Sequence, residues 1–194
     1  PTYNSELYIN DCIESVLSQT KDNINLEILL IDDCSIDSTF KILKNLQKCY
    51  PDVVKVFQTN SNSGPGAARN IGILNCINEW ILFLDSDDKL KNNAFTTISN
   101  YLEENKLKDY DVVGYNWDFD IRSNIHSNKN GGRYDLNSLL KEKTELIKDS
   151  ISLRMDGSVI YTLIKRSLLI NNQLFFRHGL HEDVDFIFKV YWFS

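Results

Sequence analysis

No stretch of the 194 residues approaches the ~20 consecutive apolar side chains of a membrane-spanning helix. The longest clear apolar runs, Ile28–Ile31 and Trp80–Leu84, have strand length. A basic excess is also lacking: 21 Lys and Arg stand against 27 Asp and Glu, a net charge of −6. Tracking a nucleic acid backbone calls for a basic face, so nucleic acid is not an expected partner. A nucleotide held by way of a cation stays compatible with that charge. The four cysteines, Cys12, Cys34, Cys49 and Cys76, form no CxxC pair, and no His or Cys stands at zinc-finger spacing. They are expected as free thiols in a reducing compartment. The first residues show no signal-peptide pattern, and the start at Pro1 rather than Met predicts a piece of a longer protein. Neither an internal repeat nor a linker divides the chain.

What is present is globular: 42% hydrophobic and 25% charged residues, in a length that suits one domain. The first half alternates two periodicities. Ile9, Cys12, Ile13, Val16 and Leu17 recur at helical spacing, with Asn4 or Ser5 as the expected N-cap. Residues 26–31 read as a buried strand, 40–47 as a helix closed by Pro51, and 53–57 as a strand. A polar loop over 59–66 precedes a helix opening at Ala67, then a strand over 80–84, a helix through Phe95, Ile98 and Leu102, and a strand over 111–117. This order predicts an α/β fold with a mostly parallel central sheet flanked by helices. Right-handed crossovers then put the loops after the strands along one edge. The second half is less regular. It predicts a loop over 121–134, a helix over 136–151, a strand near 159–164, a short helix over 166–170, an extended stretch over 174–176 and a helix over 182–193. Within one domain, the more regular half is 1–118 and the less regular half 119–194.

The acids fall where strands end. Asp32 and Asp33 close one strand pattern; Asp85, Asp87 and Asp88 close another. On the ligand edge of a parallel sheet these carboxylates repel one another and raise each other's pKa, which a divalent cation relieves. Oxygen ligands beside phosphate suit Mg2+ or Mn2+ rather than zinc. Asp85-x-Asp87 has the spacing of a clamp on a cation-bound diphosphate, with Asp88 open to a second reading as a helix-terminal acid. Gly64-Pro-Gly-Ala-Ala-Arg-Asn70 permits close backbone approach, and Arg69 is placed to pair with a phosphate or a carboxylate, or to stay solvated at a helix start. No GxxxxGK[ST] occurs, and no GxGxxG at the first strand–helix turn. In His181-Glu-Asp183 a carboxylate is a candidate general base, although the residues alone favour a helix N-terminal acid there.

Taken together, Pro1-Thr-Tyr-Asn4, Ile31-Asp-Asp-Cys-Ser-x-Asp37, Asn62-x-Gly64 leading to Ala67-Ala-Arg-Asn70, Leu84-Asp-Ser-Asp-Asp88 and Glu182-Asp183 resemble the nucleotide-sugar domain of a family-two glycosyltransferase with the GT-A fold. Their order and separation match from the first residue to the last. The resemblance implies a single GT-A domain truncated at both ends, with a Rossmann-like nucleotide half and an acceptor half carrying the base. It puts Thr2 and Tyr3 along the nucleoside, Asp32 and Asp33 on a base that is typically uracil, and Asn62 and Arg69 around that pocket. Asp85, Ser86 and Asp87 fall on the ribose and on a Mn2+- or Mg2+-bound diphosphate. Asp183 is implied as catalytic base, with Glu182 on the sugar or acceptor. The reaction implied is inverting transfer from a UDP-sugar to a hydroxyl of a glycan or glycolipid. The setting implied is cytoplasmic, at the inner face of the cytoplasmic membrane, with peripheral membrane association of the full-length protein. Departures from the family pattern are Cys34 in place of the usual Gly and a missing strand before Pro1. The rival readings are a nucleotide-sugar-binding module without transfer activity and a phospho-acceptor signalling domain; the second acidic cluster and the Gly64–Asn70 segment do not fit the latter.

Overall fold

A computed structural model describes residues 1–19, 24–104, 110–115, 144–145, 147–148 and 158–194. In chain order these form α1 (Ile9–Leu17), β1 (Ile28–Asp32), α2 (Thr39–Cys49), β2 (Val54–Gln58), α3 (Pro65–Asn75), β3 (Trp80–Leu82), α4 (Ala94–Glu104), β4 (Val112–Gly114), a 3-10 turn (Val159–Tyr161), β5 (Thr162–Lys165), α5 (Arg166–Asn171) and α6 (Glu182–Phe193). The expected loop over 121–134, most of the helix over 136–151 and the 118/119 division lie outside the described residues.

The α/β architecture is as expected. β1 and β2 pair in parallel, and a parallel bridge from Thr2 to Asp32 extends that pairing. β5 departs from the parallel pattern. It lies between β3 and β4 and runs antiparallel to both, so β3 and β4 share one direction. Strand direction leaves no mark on a four-residue apolar run, so β5's orientation was not readable locally. A cavity of about 500 Å³ between β1 and β3 is walled by apolar side chains such as Ile28, Leu30, Ile81 and Phe83. None of Asp33, Asp87 and Asp183 lines it.

Two cores hold the layers. Ile9, Ile13 and Val16 of α1 pack with Leu30, Leu43 and Val54. Ile73, Phe83, Ile164, Leu169, Phe186 and Val190 form the other, under α5 and α6. Asn4 and Ser5 are not N-caps, because α1 starts at Ile9 with no side-chain cap. Instead they tie the first turn to α2: the Ser5 N–H donates to Thr39 Oγ1 at 2.7 Å, and Asn4 Oδ1 accepts from the Ile36 N–H at 3.0 Å. α3 opens at Pro65, two residues before the expected Ala67. Gly64 at φ +88° makes the turn, and a proline at the first helical position forfeits no hydrogen bond.

Candidate active site

The end of β1 brings Asp32 and Asp33 to one edge, but each carboxylate is already engaged. Asp32 has no exposed surface; its oxygens accept from the Ser35 N–H and hydroxyl and from Gln58 Nε2 at 2.9 Å. It therefore shapes the turn after β1. Asp33, 3% exposed, accepts from the N–H groups of Ser63 (3.0 Å) and Gly64 (2.7 Å) and from the Thr59 hydroxyl (2.8 Å). It anchors the loop that carries the exposed Asn62. Thr2 is buried, with both its N–H and its hydroxyl aimed at the Ile31 carbonyl, at 2.8 and 3.2 Å. These bonds fasten the first residues to β1. Tyr3 beside it is 44% exposed and offers a ring face for stacking.

The turn after β3 carries the second acidic cluster. Ser86 Oγ lies 2.7 Å from Ser5 Oγ, which fastens this turn to the first loop. Cys12 donates to the Asp85 carbonyl at 3.5 Å, and burial pushes its thiol up to about 12, so it remains protonated and inert. Asp87 and Asp88 are exposed. The Asp88 carboxyl is raised above its ordinary range by desolvation and then by the charges of Asp87 and Asp85. No helix begins at Asp88, since α4 opens only at Ala94, so the helix-terminal reading of that acid does not hold. Among the described residues, no three or more His, Cys, Asp or Glu side chains are grouped to hold a metal. The all-oxygen donors of Asp85, Asp87 and Asp88, of which Asp87 and Asp88 are exposed, fit Mg2+ or Mn2+ only if diphosphate and water complete its coordination.

Arg69 connects the acidic turn to α6. It is 6% exposed on α3; one guanidinium nitrogen lies 2.8 Å from Asp85 Oδ1 and the other 3.5 Å from Glu182 Oε1. The guanidinium also lies 5.4 Å over the Phe176 ring. Arg69 thus meets carboxylates, one of the partners open to it in the sequence. Next to it, Asn70 Nδ2 donates to the Phe176 carbonyl (2.9 Å) while Asn70 Oδ1 accepts from the Phe176 N–H (2.8 Å). This two-way clamp holds the extended stretch that leads through Gly179 (φ +120°) and His181 (φ +57°) into α6. Glu182 and Asp183 occupy the first turn of α6, as expected. Asp183 is part-exposed and accepts the N–H of Val184 at 3.0 Å.

The acidic stretches thus meet around the start of α3: Asp33 binds Gly64, while Arg69 binds Asp85 and Glu182. The sequence reading missed Phe176 and the role of Asn70, whereas it marks Gly66 for close approach without naming what approaches. Asn70 stood in a quoted motif with no function attached. Phe176 carried no signal beyond being apolar.

Residues 1–169 match the model of glycosyl transferase family 2. The poly(ribitol-phosphate) beta-glucosyltransferase of Bacillus spizizenii is 41% identical over 106 residues, 55% of this chain and 17% of that protein. TarS, the poly(ribitol-phosphate) beta-N-acetylglucosaminyltransferase of Staphylococcus aureus, is 29% identical over 196 residues, 98% of this chain and 31% of its own. The chain therefore spans less than a third of the length of either. The crystal structure of TarS 1–349 with UDP matches with a TM-score of 0.75 at 26% identity, over 100% of this chain and 54% of that one. TarS 1–349 has also been solved with UDP-GlcNAc. A Pyrobaculum calidifontis mannosyltransferase in complex with GDP-Man and Mn2+ shares the fold, with a TM-score of 0.65 at 15% identity over 98% of this chain and 50% of that one. With its acidic stretches linked through Gly64 and Arg69, a GT-A-type architecture and residues 1–169 inside the family match, the chain belongs to glycosyl transferase family 2.

Proposed function

We propose that this chain forms the donor-binding and base-carrying part of an inverting glycosyltransferase that moves a sugar from a UDP-sugar to a hydroxyl of a glycan or glycolipid acceptor. The observation that carries this reading is the Asp85–Arg69–Glu182 contact, which brings the acidic turn after β3 to the residue next to Asp183. The relatives named for poly(ribitol-phosphate) favour a hydroxyl of a cell-surface polymer as acceptor. The reaction is placed on the cytoplasmic side, with peripheral membrane association of the intact protein. No helix among the described residues is long and apolar enough to cross a membrane.

Tyr3 stacks on the base, and the Asp33-anchored loop with Asn62 closes over it. Asp85 and Asp87 would hold a Mg2+ or Mn2+ ion, which would offset negative charge on the diphosphate. Asp183 takes the proton from the acceptor hydroxyl, whose oxygen attacks the anomeric carbon opposite the diphosphate and inverts it. No covalent sugar–enzyme intermediate is involved.

The test has two parts. UDP with Mn2+ should raise the melting temperature of the protein, and chelation should remove the shift. A screen of UDP-sugars with the intact protein should then show turnover. Binding without turnover would replace this reading by a sugar-nucleotide-binding module; neither binding nor turnover would end it.

A further inference from the structure

We infer that Arg69 is a positioning residue that couples the donor side of the site to the acceptor side, a role that rests on the donor-site reading above. A guanidinium that is 6% exposed cannot be hydrated like a surface arginine, so its charge is shared between its two carboxylate partners. Those partners are unequal: Asp85 at 2.8 Å is a full hydrogen-bonded pair, and Glu182 at 3.5 Å sits at the limit of one. Arg69 Nε is buried with no hydrogen-bond partner among the described residues, so the fork is gripped by its two ends and by the Phe176 face.

Space for this arrangement comes from Gly66. A Cβ there would stand 2.7 Å from Glu182 Cγ and 3.0 Å from Phe176 Cβ. Glu182 reaches its seat because position 66 carries no side chain. Charge demand at one carboxylate then sets how much of the guanidinium is left for the other. A cation on Asp85 weakens that acid's hold on Arg69 and strengthens the pull on Glu182, and so on Asp183 in the same helical turn. By linkage, neutralising Glu182 turns Arg69 fully onto Asp85 and lowers the charge that Asp85 offers a cation.

Calorimetric titration of UDP into the intact protein with Mn2+ tests this without any acceptor. Glu182→Gln should weaken UDP binding about 5–10-fold, within the usual range of coupling between sites. In an Arg69→Lys background, where a single ammonium cannot bridge both acids, the same change should cost at most about twofold. Gly66→Ala, which removes no charge, should reproduce the Glu182→Gln loss in a protein with unchanged circular dichroism. Equal loss in both backgrounds, or no loss from Glu182→Gln or from folded Gly66→Ala, would overturn the coupling while leaving the donor site intact. Failure of the parent protein to bind UDP would overturn the donor site, and the coupling with it.

Discussion

Cys34 adopts φ +62° directly after the two aspartates that end β1. An L side chain in that region costs roughly 1–2 kcal/mol, of which the greater freedom of glycine in the unfolded chain takes back about 0.5–1 kcal/mol. Cys34→Gly should therefore stabilise the protein by roughly 0.5–1 kcal/mol, read as a higher urea midpoint; an unchanged or lower midpoint would refute the strain. If Asp183 acts as the proposed base, Asp183→Asn should abolish sugar transfer while UDP affinity stays within about twofold. Equal loss of binding and transfer would remove Asp183 from the role of base. At this scale the sequence exposed the acids but not their partners. Asp85, Asp87 and Asp183 stand in recognisable motifs. That Asp33 spends its carboxylate on Ser63 and Gly64, and that Arg69 meets Glu182 across 113 positions, depends on how distant segments pack.

Among the elements, the α3–β3 connection is fixed by one acid. Burial opposes ionisation of Glu27, but the N–H groups of Asn78 (2.8 Å) and Ile77 (2.6 Å) and the Lys55 ammonium (3.2 Å) outweigh it and hold the carboxyl below its ordinary range. A depressed folded-state pKa gives stability that is present above the unfolded value of 4.5 and is lost as pH falls through the folded one. Melting temperature should therefore drop below about pH 4.5, and Glu27→Gln should flatten that drop by lowering stability mainly at higher pH. A parallel decline in both proteins would show that Glu27 does not contribute. α1, α2 and α6 were legible because their apolar faces repeat over nine or more residues. β3 and β4, three residues each, leave too short a pattern to fix ends or direction.

For the molecule as a whole, the two cores divide the labour. The α1–β1–β2 core supports the loops proposed for the nucleoside, whereas the other supports α6 and its acids. Phe186, fully buried, stacks on Phe176 at 3.9 Å, and Phe83 meets both rings edge-on. Phe186→Ala should cost roughly 3–5 kcal/mol in denaturant unfolding. Below the melting point, sugar transfer should suffer more than UDP binding; an equal loss would mean that the two halves do not respond separately.

The reciprocal grip of Asn70 on Phe176 has an evolutionary corollary. It pins the approach to α6 at one register along α3. Under the function proposed above, divergence toward a new polymer is expected in the exposed side chains beyond the pin, Arg177, His178 and Leu180, with the pin itself retained.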